Sequence, residues 1–164
     1  LVHSMPTCGF LFKEKEGLPH IDGELVKFYK IGVKEIQNIK NGADFIDENG
    51  RLVPNSRLIT PPTPPKSYAY CSDTAYTERI IPIIEGVDTL FHEATFAEAE
   101  RHRCKATLHS TASDAAHIAQ MANVKQLIIG HYSARYADLN PLLDEAKAIF
   151  PNTKLSTDGS KFSW

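Results

Sequence analysis

Three short apolar runs in this chain each end in a side chain able to bind a metal or move a proton. Asp73 follows "YAYCS", His92 and Glu93 follow "TLF", and His131 follows "LIIG". His3 and His109 sit beside similar turns. Imidazole and carboxylate groups gathered in one place suit zinc or manganese. "HYSARY", residues 131–136, sets Ser133, Arg135 and two tyrosines directly behind His131. Such an edge is either a metal ligand beside a phosphate clamp or a polar turn. Plain structural readings stand next to each residue. Asp73 precedes Thr74 and a predicted helix, the pattern of a helix cap. His109, Ser110 and Thr111 together resemble a helix start. Glu93 lies on a strand expected to be buried, needs a partner there, and has His92 as its neighbour. His20, His102 and His117 fall in a charged segment or on predicted helix surfaces and carry no such implication.

The elements around these residues alternate. "SYAYCSD" reads as a strand, residues 76–85 as a helix and "TLFHEAT" as a strand. A helix carried by "AAHIAQMA" follows the Ser/Thr-rich "HSTASD". Strand "QLIIGH", helix "PLLDEAKAIF" and a last strand "KLSTDG" complete the series. This alternation predicts an α/β architecture with helices packed on a sheet, and in open sheets of that kind ligands bind at strand ends. Before it, "TCGFLF" reads as a short strand and residues 13–42 as charged and amphipathic. There Asp22 is placed to cap a helix with an apolar stripe of Leu25, Val26, Phe28 and Tyr29, and a second helix carries Ile36 and Ile39 and stops at Gly42. "ENG", residues 48–50, is a hairpin-type turn, and "TPPTPPKS" is a stiff extended link.

Composition bounds the function more than it names it. The 164 residues are 42% hydrophobic and 23% charged, enough for one domain with a real core. A net charge of −2 gives no global basic field for nucleic acid. No apolar run approaches the roughly 20 residues of a membrane helix, and the opening "LVHSMPTCGF" has no charged leader region. Three cysteines without C-x-x-C spacing fit a reducing, cytoplasmic setting better than a disulfide framework.

Taken together, "YCSDT", "HEATF", "HSTASDAAHIA" and "GHYSARY" resemble ribonuclease Z, the tRNA 3′-end processing endonuclease family of the metallo-β-lactamase superfamily. "HSMPTCGF" looks like that family's segment of His, Pro and a Gly–aromatic pair, and "STDG" like its terminal Asp loop. The resemblance covers nearly the whole chain. It implies an αββα sandwich and a role for each matching position. His3 looks like a ligand of a first zinc, Asp73 like the carboxylate bridging two zincs, and His131 like a ligand of the second. His109 looks like the group that protonates the leaving 3′ oxygen, oriented by Glu93. Ser133 and Arg135 look like contacts to the substrate phosphate. The implied cofactor is Zn2+, two per complete site, with Mn2+ or Mg2+ as alternatives. The implied substrate is precursor tRNA and the implied assembly a homodimer.

The family's H-x-H-x-D-H signature does not occur in this sequence, and the first residue is Leu. The resemblance therefore predicts that residues 1–164 are the C-terminal half of one metallo-β-lactamase-like domain, inactive alone because half the zinc ligands lie upstream. Such a half is expected to need its N-terminal portion, a partner or self-association. The charged segment at about 13–42 occupies the place of the family's tRNA-binding arm, although "IGVKEIQNIKNG" carries Lys34 and Glu35 where the arm has a glycine–proline element. A solvated helical hairpin is the other reading of it. Two other functions remain open from sequence: a hydrolase of small esters from the same superfamily, and a metal-free module that binds RNA or a partner.

Overall fold

The computed structural model describes residues 1–163. In chain order its elements are β1 (Phe10–Lys13), β2 (His20–Ile21), α1 (Gly23–Phe28), α2 (Val33–Lys40), β3 (Phe45–Ile46), β4 (Leu52–Val53), α3 (Asn55–Leu58) and β5 (Ile59–Thr60). Then come β6 (Ser67–Cys71), α4 (Ile81–Ile84), β7 (Thr89–Glu93), α5 (Arg101–Thr107), α6 (Ala112–Met121), β8 (Gln126–Gly130), α7 (Asn140–Ile149) and β9 (Thr153–Leu155). These form two compact units: residues 1–13 with 66–163, and residues 14–65.

The larger unit is built on a five-stranded sheet in the order β1-β6-β7-β8-β9. β6, β7, β8 and β9 run parallel, and β1 pairs antiparallel with β6. One face packs against helices. Ala69, Cys71, Leu90, Leu127 and Ile129 from the strands meet Ala115, Ala119, Leu142 and Ala146 from α6 and α7. The alanines let α6 lie close to the sheet, and burying each of Leu90, Leu127 and Ile129 stabilises the fold by roughly 1.5–3 kcal/mol. The opposite face carries a row in register across four strands: Phe10, Tyr70, Phe91 and Ile128. Tyr70 and Phe91 stack with ring centroids 4.8 Å apart. Phe10 and Phe12 remain 56% and 58% exposed, so this face is only partly covered. Gly130 belongs to the same row of contacts. A Cβ there would come within 2.5 Å of the Phe91 ring, so the ring requires a glycine.

The smaller unit forms two two-stranded sheets, β2 with β5 and β3 with β4, around Ile31, Ile39, Val53 and Leu58. Asp22 caps α1 as its sequence predicts, accepting from the backbone N–H of Glu24 and Leu25 at 2.8 and 3.3 Å. Gly50 takes a positive φ of 77° in the turn between β3 and β4. The expected apolar stripe is only partly used. Leu25, Val26 and Tyr29 pack on the small core, while Phe28 is 74% exposed.

Two elements of the larger unit are shorter than their sequence predicts. The helix expected over 76–85 divides into a 3-10 turn, Glu78–Ile80, and the single turn α4, which opens around Pro82. The last strand ends at Leu155, before the "STDG" turn.

Candidate active site

Because β6, β7 and β8 run parallel, their C-terminal ends share one edge of the sheet. Asp73 lies just beyond β6, Glu93 ends β7, and His131 follows β8 at once. Asp73 and His131 both adopt left-handed backbone, with φ of 53° and 59°. That region is costly for residues other than glycine. Elsewhere in the described chain such residues fall at helix C-termini, where the conformation is ordinary: Lys30 after α1, Leu108 after α5 and Asn123 after α6. Asp73 and His131 have no helix to terminate. Backbone held this way at a strand end points to function rather than capping.

Glu93 is the centre of the arrangement and is fully buried. Its carboxyl accepts from the Thr74 N–H at 2.5 Å, the Thr95 hydroxyl at 2.6 Å and the Ser110 N–H at 3.0 Å. The fourth partner is His109, whose Nδ1 lies 2.9 and 3.2 Å from the two carboxyl oxygens. With Nδ1 held as a donor to Glu93, the His109 Nε2 is left to act on something else. Sequence near His109 explains its placement. Leu108 closes α5 in left-handed conformation, and Thr111 opens α6 as the first half of a capping box with Asp114. The Ser110 hydroxyl donates to the Thr74 carbonyl at 2.7 Å. The histidine is thus pinned between two helix ends.

Two overlapping groups of side chains are spaced to hold a cation. His3, Asp73 and His109 form one, and Glu93, His109 and His131 the other, with the ligand atoms of each within 4.8 Å of one another. Two ligands bonded to one zinc at about 2.0–2.2 Å stand at most ~4.4 Å apart, so small side-chain rotations bring either group into range. His131 Nε2 and Asp73 Oδ1, 3.1 Å apart, join the two groups. The buried Nδ1 of His3 has no hydrogen-bond partner, as expected of a ligand atom without its ion. The residues present therefore fit a divalent metal of the zinc type.

The loop after His131 is anchored by its tyrosines. Tyr132 donates to the Ile129 carbonyl at 2.5 Å, and Tyr136 donates to Glu100 at 2.5 Å while accepting from the Ala97 N–H at 2.8 Å. Between them, the Ser133 N–H donates to the Thr95 carbonyl at 3.1 Å. Arg135 is exposed and makes no hydrogen bond or ion pair among the described residues. The Tyr136 hydrogen bond first, then Arg103 and the charge of Arg135, hold the Glu100 carboxyl below the usual range.

No protein-family model matches the chain. Against curated proteins it is 55% identical over 163 residues to ribonuclease Z of Parabacteroides distasonis, covering 99% of this chain and 54% of that protein. It is likewise 55% identical over 163 residues to ribonuclease Z of Phocaeicola vulgatus, covering 99% and 53%. By sequence the chain is a homologue of ribonuclease Z. It spans about half the length of the ribonuclease Z proteins it matches. Among solved structures it superposes on the metallo-beta-lactamase fold protein YhfI from Bacillus subtilis with a TM-score of 0.54 and 24% identity, covering 58% of this chain and 39% of that one. It superposes on a long form RNase Z from yeast with a TM-score of 0.50 and 22% identity, covering 57% and 13%. The likeness to these structures is one of fold, and the fold is that of the metallo-β-lactamases.

At two of the strand-end positions the geometry differs from what the sequence suggests. His92 does not partner the Glu93 carboxyl. Adjacent strand residues face opposite ways, and the His92 ring turns to the helix side, where its Nδ1 meets the Glu93 carbonyl oxygen at 2.8 Å. Burial there pushes its pKa down. Asp73 does not cap a helix. The next helical turn starts at Glu78, and Thr77 caps it. Thr74, Thr95 and Ser110 are partners that the sequence did not single out. Thr95 had one available signal, its place two residues beyond Glu93, which returns a side chain to the same side of extended backbone.

Proposed function

We propose that this chain is the proton-donating half of a ribonuclease Z-type endoribonuclease that removes the 3′ trailer of precursor tRNA by phosphodiester hydrolysis. What supports this reading most is the hydrogen-bonded pair of buried Glu93 and half-buried His109, with His109 shared by both cation-spaced groups, in a homologue of ribonuclease Z. His3, Asp73 and His131 would hold metal, with zinc as the expected ion, two per complete site, and manganese or magnesium as alternatives. Bound there, the metal supplies electrophilic polarisation of the phosphate and activation of water.

The chain's own residues carry the rest. Glu93 accepts the Nδ1–H of His109 and stabilises its imidazolium form, whose Nε2–H then faces the leaving 3′ oxygen, gives its proton to it and leaves a neutral ring. Ser133 and Arg135 take the phosphate oxygens, Arg135 through a guanidinium that no other group occupies. Duplex next to a single-stranded end would be read by shape and phosphates. The remaining ligands belong to an N-terminal portion with the H-x-H-x-D-H signature. Residues 13–42 serve as the arm that approaches tRNA, and the complete protein is a cytoplasmic homodimer. Among the described residues no helix is long and apolar enough to cross a membrane.

The roles are separable in the complete protein. His131→Ala is expected to lower zinc content and activity together. His109→Ala is expected to keep zinc and substrate binding while slowing the chemical step by about 10²–10⁴-fold, the usual worth of a general acid. If His109→Ala strips the metal instead, His109 is a ligand, a role its membership of both cation-spaced groups also allows.

A further inference from the structure

We propose that Thr95 decides which nitrogen of His131 is free to bind metal, and that Glu93 acts through Thr95 to tie this ligand to the His109 proton donor. The inference rests on the ribonuclease Z-type reading for what the site binds, and on geometry alone for the state of the ring.

The Thr95 hydroxyl has a single proton and three acceptors in range. Glu93 Oε2 lies at 2.6 Å, the His131 carbonyl at 3.0 Å and the His131 Nδ1 at 3.0 Å. The carboxyl oxygen is the shortest contact and the strongest acceptor, so the proton goes to Glu93. The Thr95 oxygen is then an acceptor toward His131, and Nδ1 must be the nitrogen that carries hydrogen. The bond one ring nitrogen makes sets the state of the other. Nε2 is left with a lone pair and faces Asp73 Oδ1 at 3.1 Å. Two acceptors so close require a cation between them or a second proton on the ring. A shared metal meets that requirement.

Glu93 therefore orients two histidines at once. It holds His109 directly through Nδ1 and His131 indirectly through Thr95. The Thr95 carbonyl also receives the Ser133 N–H, which fixes the start of the loop that follows. Thr95 is 6% exposed, so water does not compete freely for its hydroxyl. Without that hydroxyl, the favoured form of His131 would place its proton on Nε2, toward Asp73, and convert the metal-facing lone pair into a donor. Thr95 is a positioning residue, acting through His131 rather than on substrate.

The test uses the complete protein with 15N-labelled histidine, metal-free, at about pH 9, well above the ordinary imidazole range near 6.5. Wild type is expected to show His131 with Nδ1 protonated and Nε2 bare. Thr95→Val is expected to move the proton to Nε2 and to weaken zinc binding by about 10–100-fold, the usual effect of losing such a partner. Thr95→Ser is expected to restore both. Wild type with its proton on Nε2 overturns the proposal and needs no variant, so a misfolded Thr95→Val protein does not block the decision. A folded Thr95→Val protein with Nδ1 still protonated and zinc binding unchanged also overturns it. Correct tautomers and zinc binding without cleavage of a tRNA precursor would instead defeat the functional reading and leave the role of Thr95 standing.

Discussion

Glu93 accepts four donors and offers none in return, which makes it the least replaceable side chain of the site. Glu93→Gln would turn an NH2 group toward donors that need an acceptor. Leaving buried donors unpaired costs roughly 1–3 kcal/mol, and His109 would lose its orientation. The expected outcome is a lower melting temperature, a fall in turnover of about 10²-fold or more and weaker zinc binding, because Thr95 loses the acceptor through which Glu93 orients His131; unchanged single-turnover rates would remove Glu93 from the mechanism. Arg135 makes a different prediction because it makes no hydrogen bond or ion pair among the described residues and acts on Glu100 only through its charge. Arg135→Lys keeps the charge but loses the paired donors that match a phosphate. It is expected to weaken use of a tRNA precursor without altering stability, read as kcat/KM beside a thermal melt. Equal kinetics would take Arg135 out of the site. Asp73, Glu93 and His131 could be placed together from sequence because each falls at the end of a parallel strand. Thr95 could not, since its only mark is its place two residues beyond Glu93, and its role emerges only when its one proton is counted. His92 was misjudged because adjacency in sequence is opposition across a strand.

At the scale of elements, one edge of the sheet gathers the candidate site and the other holds the strands together. At the N-terminal ends of β6 and β7, Asp88 is buried and accepts from Lys125 at 2.7 Å, from the Ser67 N–H at 2.7 Å and from the Ser67 hydroxyl at 2.9 Å. The Lys125 ammonium beside it, helped by Ser67, lowers its pKa from 3.8 to about 2. The unfolded chain therefore takes up this proton at higher pH than the folded one. The contribution to stability is complete above about pH 4 and is lost as pH falls toward 2. Lys125 is largely exposed, so the contribution is on the order of 1–2 kcal/mol. Asp88→Asn should lower stability at pH 7 by about that amount and flatten the acid limb between pH 4 and 2, measured by denaturant melts across pH. A variant as stable as wild type at pH 7, with the same acid limb, would show that Lys125 and Ser67 gain nothing from this charge. Most helices and strands of the larger unit were readable from alternating apolar runs. The helix expected over 76–85 was not, because Pro82 and the short "IPII" segment support only one turn. The left-handed turns at Asp73 and His131 leave no mark in the sequence, since neither position is a glycine.

For the molecule as a whole, the telling feature is the half-covered sheet face with Phe10 and Phe12 more than half exposed. Exposed apolar surface of this kind marks a contact yet to be made, and a sandwich fold supplies one through its other sheet. The isolated chain is expected to elute above its 18.3 kDa monomer mass and to shift toward monomer when Phe10 and Phe12 are changed to Ser. A stable monomer before substitution would mean the face is already satisfied. The same incompleteness holds for the chemistry. In the proposed reading His109 is the proton donor and His3, Asp73 and His131 are metal ligands, while the H-x-H-x-D-H signature expected beside them does not occur in the sequence. The most direct measurement is cleavage of a tRNA precursor with a 3′ trailer by the purified 164 residues, and by the same residues joined to the upstream portion, each with added zinc and then with chelator. The account predicts no cleavage by the chain alone and chelator-sensitive removal of the trailer by the joined protein. Robust metal-dependent cleavage by the chain alone, or none by the fully metal-loaded joined protein, would contradict it.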